Sequence, residues 1–166
     1  MKLRNKGLSY VEVLIVLGIG AILTTLAFVG LGFMNRNNVT KSANKLENAF
    51  SHAQNLSMTK GSNNGCITIY QEGSTYYYRF GTSSSVVYKL AQSPCTIVGI
   101  DDSNHEVALG TTGLRFYYIP NTGAIKTADS EAYNGSKKIT KIRLKNNNGT
   151  KMDLVIHNAT GKITVE

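Results

Sequence analysis

Glu12 is the only charged side chain between Lys6 and Arg36. A carboxylate beside so long an apolar run is costly unless a cation meets it, so the chemistry that it suggests is ion pairing. The alternative is a carboxylate at an apolar–water boundary with no partner. Other residue types that carry chemistry are present but badly spaced for it. His52, His105 and His157 are scattered without ligand spacing. The serines lack a nucleophile-elbow context, and no glycine loop for phosphate is found. Asp101, Asp102 and Glu106 lack the alternation of oxygens that calcium requires and read as a solvated acidic loop. Cys66 and Cys95 do not form a CxxC pair. They read either as two buried thiols or, if the domain lies outside the cytoplasm, as a candidate disulfide closing a loop of roughly 30 residues. A last cluster is basic: Lys137, Lys138, Lys141, Arg143, Lys145 and Lys151. On a strand, Lys141, Arg143 and Lys145 share one face and could track the phosphates of a nucleic acid. They equally suit a solvated sheet face or an edge strand guarded against aggregation. No enzyme activity, cofactor or metal is expected from these patterns.

The elements that must position these residues follow from periodicity. Residues 13–34 carry no charge, and about 20 apolar residues can span a bilayer as a helix. The preceding segment, 1–7, holds Lys2, Arg4 and Lys6 and ends on Gly7. This order is wrong for an ordinary secretory signal, whose cleavage site follows its apolar region. Its positive charge predicts a cytoplasmic N-terminus with the remainder across the membrane. Beyond the run, Val39, Ala43, Leu46, Ala49, Phe50, Ala53 and Leu56 recur every three or four residues, one apolar stripe on an amphipathic helix. Lys41, Lys45, Glu47 and Gln54 fall mostly elsewhere. Gly61 is a stop signal. A continuous helix from 8 to about 60 is expected, roughly 80 Å long. Gly18, Gly20, Gly30 and Gly32 loosen its first half or let neighbouring helices approach.

After Gly65 the period changes to two. Strands are expected at 66–71, 75–80, 86–90, 96–100, 114–119, 138–145, 152–157 and 162–165, with turns at 72–74, 120–123, 146–149 and 158–161. Residues 82–85 and 101–106 read as surface loops. The expected fold class is α+β: a long N-terminal helix, transmembrane then amphipathic, packed on an antiparallel β-sheet head. The expected divisions are 1–7, 8–34, 35–60 and 61–166. The net charge is +8 over 166 residues. Without the three leader cations the remainder carries +5, a mild basicity that suits solubility and leaves nucleic-acid contact open.

The basic leader closed by Gly7, then Leu8, then Glu12 at the mouth of an apolar run, resembles the class III signal of type IV pilins and pseudopilins. The segment 116–123, with its Thr122-Gly123 turn, and the ending 154–165, with Thr160-Gly161, look like the head of H-type minor pseudopilins and FimT-like minor pilins. The resemblance implies a pilin-like fold and cleavage between Gly7 and Leu8 by a prepilin peptidase, with N-methylation of Leu8. It also implies filament assembly guided by Glu12, whose carboxylate would attract the α-ammonium of a neighbouring subunit. Expected partners are that peptidase, other pilin or pseudopilin subunits, the cytoplasmic membrane and, in the DNA-uptake variant of the reading, DNA. The protein would be a single-pass precursor in the cytoplasmic membrane, then a minor subunit of a pilus or of a secretion or competence pseudopilus. A signal-anchored exported protein without a filament role is the other alternative. Two departures stand out: leucine at position 8, where the family often has phenylalanine, and no proline before Pro94.

Overall fold

The structure, a computed structural model, describes residues 9–61, 65–82, 86–126, 133–134 and 137–166, without the side chains of 27–36, 133–134 and 137. Gly7 and Leu8, the expected processing residues, lie outside the described residues. Helical backbone, α1, covers Tyr10–Lys60. The chain divides into two compact units, Met1–Met34 and Asn35–Glu166, so the helix is taken in two pieces.

The first piece opens with a cap. The Ser9 amide donates to Glu12 Oε2 at 2.8 Å, the carboxylate half of a Ser-x-x-Glu capping box. Thr24 and Thr25 turn their hydroxyls back onto the carbonyls of Gly20 (2.7 Å) and Ala21 (2.6 Å). Their polarity is thus satisfied within the helix, and the described surface over 10–26 is exposed and overwhelmingly apolar.

The second piece carries the stripe. Val39, Ala43, Leu46, Ala49, Phe50 and Ala53 are all buried. Eleven strands follow: β1 (Cys66–Glu72), β2 (Thr75–Phe80), β3 (Tyr88–Gln92), β4 (Thr96–Asp101), β5 (Glu106–Ala108), β6 (Leu114–Tyr118), β7 (Ile125–Lys126), β8 (Tyr133–Asn134), β9 (Lys137–Lys145), β10 (Lys151–His157) and β11 (Lys162–Val165). They form one sheet in the order β3-β2-β1-β6-β7 and another in the order β11-β10-β9-β4-β5, with β8 paired to β9. Period-two alternation gives each sheet one apolar face. Ile67, Ile69, Phe116 and Tyr118 from the first sheet, and Ile97, Ile142, Leu144 and Leu154 from the second, join the helix stripe in a single core.

The fold expectation is corrected on two counts. No helix among the described residues is long and apolar enough to cross a membrane: the second piece is amphipathic, with Asn38, Lys41 and Lys45 exposed beside its buried stripe. The expected single head sheet is two sheets, because apolar faces of both need covering and the helix stripe contributes to one core with each. Local corrections follow the same logic. Glu106, expected in a loop, begins β5, whose pairing with β4 sets Ile100 opposite Glu106. The strand expected at 86–90 lies at Tyr88–Gln92, leaving Val86 and Val87 outside it.

Near the chain's end the two Thr-Gly turns meet. Gln54 Nε2 donates to the carbonyls of Gly123 and Thr160, both at 2.9 Å. Tyr118 Oη reaches the Gly161 carbonyl at 3.3 Å, and the Ile125 amide donates to Asn158 O at 2.9 Å. A Cβ at Gly161 would stand 1.8 Å from the Gly123 carbonyl oxygen, and φ there is +69°. Glycine is therefore required on two grounds, space and handedness.

Gly161→Ala is expected to destabilise the head by about 2–5 kcal/mol, and Gln54→Ala by about 0.5–1.5 kcal/mol, chiefly through its bond to the part-buried Gly123 carbonyl. Gly149→Ala, at a turn with open space around it but φ of +80°, should cost about 1–2 kcal/mol from handedness alone. Denaturant unfolding of the full chain in neutral detergent, followed by tyrosine fluorescence, ranks the three.

Candidate functional site

Glu12 belongs to the first unit and is exposed. Its capping contact with Ser9 is local and engages one carboxylate oxygen. The helix N-terminus itself favours a negative charge there. Capping was not among the roles expected for this residue, although Ser9-x-x-Glu12 is a visible signature of it.

The basic cluster lies on β9 and β10. Their pairing sets Lys141 opposite Val155, Arg143 opposite Asp153 and Lys145 opposite Lys151. On the other flank β4 places Val98 beside Arg143, and β5 follows with Glu106. Lys141, Arg143 and Lys145 thus share the outer face, as their alternation predicts, while Ile142 and Leu144 point into the core. The side chain of Lys137 lies outside the described residues. Lys138 is placed before the stripe, and its carbonyl accepts from the Asp102 amide at 2.9 Å.

The stripe is partly neutralised. Arg143 grips Asp153 with two parallel bonds, Nε to Oδ1 and Nη2 to Oδ2, both 2.7 Å. Lys145 Nζ donates to Glu106 Oε2 at 2.5 Å, and Arg143 Nη1 lies 4.0 Å from Glu106 Oε1. The Arg143 hydrogen bond, ahead of the charges of Arg143, Lys141 and Lys151, holds the Asp153 carboxyl below its ordinary value of 3.8. The Lys145 hydrogen bond lowers Glu106, with added pull from Lys145, Arg143 and Lys151. Two carboxylates therefore answer the four cations Lys141, Arg143, Lys145 and Lys151. The sequence places Glu106 in a solvated acidic loop and does not single out Asp153; the signal for Asp153 was its outward parity across the 146–149 turn from Arg143.

Cys66 and Cys95 are free and buried. Cys66 opens β1 of one sheet, and Cys95 precedes β4 of the other. Burial raises both thiols, Cys95 to about 11, so neither supplies thiolate at neutral pH. The histidines stay apart. His52 packs edge-on against Phe80 at 4.7 Å, His105 Nδ1 lies 3.5 Å from Asp101, and His157 Nε2 bonds Thr164 Oγ1 at 3.0 Å. Among the described residues no group of three or more His, Cys, Asp or Glu side chains could hold a metal.

Compared with known proteins, the chain matches no family model, no curated protein and no solved structure.

The Arg143–Asp153 pair has a definite pH signature. Because the folded Asp153 pKa lies below its unfolded value, its contribution is fully present above the unfolded pKa. It is lost as pH falls below 3.8 and through the folded value. Asp153→Asn should flatten this acid limb in a pH series of urea midpoints and lower stability at neutral pH by about 1–3 kcal/mol. An unchanged acid limb would mean that the pair is energetically silent.

Proposed function

We propose that the chain is a minor pilin or pseudopilin, cleaved between Gly7 and Leu8, N-methylated at Leu8, and assembled into a pilus or pseudopilus. One observation carries the reading: a helix exposed and apolar on every side over 10–26, with Glu12 as its single charge, placed directly after Lys6-Gly7-Leu8. Exposure of its large apolar side chains runs from 41% at Val13 to 77% at Tyr10. A helix apolar all round needs apolar surroundings, which neighbouring subunit helices would supply in a filament. Gly18 and Gly20 have nothing within 4 Å of a Cβ position, so a neighbouring helix could approach closely there.

Glu12 then has two successive roles. In the single chain it caps α1 through Ser9. In a filament its free oxygen would accept the methylated ammonium of a neighbour's Leu8, in surroundings dry enough for the pair to select one axial register. The head is structural in this reading and needs no catalysis. A nucleic-acid role for the β9 stripe is the weaker reading, because Arg143 and Lys145 already hold carboxylates.

Intact-mass analysis of protein from its native membranes tests the proposal. The expected product begins at Leu8 and carries one methyl group, about 14 Da. A chain that retains Met1, or one cut within 13–34, overturns it. Glu12→Gln should leave cleavage intact and reduce incorporation into sheared filaments by roughly tenfold or more, since loss of a desolvated ion pair costs about 3–5 kcal/mol.

A further inference from the structure

Between the second helical piece and β3 lies a cleft of about 370 Å³, within the range of small-molecule sites. Three lysines line it: Lys41 and Lys45, one turn apart on α1, and Lys89 on β3. No carboxylate does. In this it differs from the β9 stripe, where Asp153 and Glu106 answer the cations.

Two of the three ammonium groups are held in place by neutral acceptors. Lys45 Nζ donates to the Lys89 carbonyl, and Lys89 Nζ donates to Gln92 Oε1. These bonds orient the ammonium groups without cancelling their charge. Lys45 also lies 6.0 Å from the Tyr78 ring centre, a further fixed contact for its cation. The Gln92 amide turns its nitrogen free by giving its oxygen to Lys89. Ser42 closes the floor: it is buried and donates to the Leu90 carbonyl at 3.3 Å. Like charges gathered in one cleft repel one another; Lys45 and Lys89 keep donor capacity beyond their tethers, and Lys41 adds its own donors. An anion with several oxygens relieves the repulsion and takes up those donors.

The geometry points to a phosphate-binding cleft at Lys41, Lys45 and Lys89, with Gln92 as a neutral donor. Phosphate offers the charge and the number of acceptors that three ammonium groups and an amide require. The group can come from a soluble phosphorylated molecule or from an anionic lipid headgroup. The site does not depend on the filament reading, since all its residues belong to the Asn35–Glu166 unit.

Calorimetric titration of the full chain in neutral detergent micelles with inorganic pyrophosphate, at about 0.15 M salt to screen diffuse attraction, tests it. Saturable one-to-one binding is expected, weakened at least roughly tenfold in K41Q/K89Q and unchanged in K141Q/K151Q. Phosphatidylglycerol added to the micelles should displace pyrophosphate if a lipid headgroup is the source, and leave it bound if the source is soluble. Thermal midpoints of both double variants check that they remain folded. Absence of saturable binding, or equal binding by K41Q/K89Q, overturns the assignment.

Discussion

One helical stripe has to serve two sheets. Val39, Ala43, Leu46, Ala49, Phe50 and Ala53 are at most 4% exposed and share one core with both apolar sheet faces. The residue sizes show how. Alanines at 43, 49 and 53 let strands approach the helix backbone, while Leu46 and Phe50 fill the space between. Phe50 meets Phe116 edge to face at 5.2 Å, a geometry that ring quadrupoles favour. Leu46 and Phe50 each contribute about 1.5–3 kcal/mol by burial alone. Without this stripe neither sheet's apolar face would have its cover.

The same helix also supplies the polar contacts that register the two sheets. Gln54 and Ser57 follow the stripe and reach carbonyls rather than side chains. Gln54 bonds Gly123 and Thr160, and Ser57 Oγ donates to Tyr118 O at 3.0 Å. The Tyr118 carbonyl contact is buried and that of Gly123 partly so, where water supplies a donor less readily. Because one glutamine serves turns from both sheets, Gly123 and Gly161 must come close, and a side chain at 161 has no room. Two loops use a related device. Asp101 Oδ1 accepts the amides of Ser103 (2.9 Å) and His105 (2.7 Å), and Asn146 Oδ1 accepts those of Asn148 and Thr150, both 3.0 Å. Each buried oxygen holds the backbone two and four residues on.

Charge is arranged differently on the two sides of the head where lysines gather. Across β5, β9 and β10, cations and carboxylates interleave, so that face offers hydrogen-bonded pairs and a small positive excess. At the cleft beside β3, the ammonium groups of Lys45 and Lys89 are tethered to neutral oxygens instead. A count of lysines along the chain cannot separate these cases, because the deciding quantity is what each ammonium group faces.

Local pattern was enough for some of this. The stripe from Val39 to Ala53, the outward parity of Lys141, Arg143 and Lys145, and the glycine turns were legible because helix and strand periods repeat within a few residues. The Lys6-Gly7-Leu8…Glu12 arrangement is likewise a sequence property, and the functional reading rests on it. Other features needed the fold. The split into two sheets, the strand at Glu106–Ala108, the carboxylates answering Arg143 and Lys145, and the meeting of Gln54 with turns far along the chain all depend on pairings between distant segments. Such pairings are chosen by how apolar faces share a core, and no short window of residues encodes that choice. The free state of Cys66 and Cys95 belongs with them: their types permit a bond, and only the fold shows two free, buried thiols.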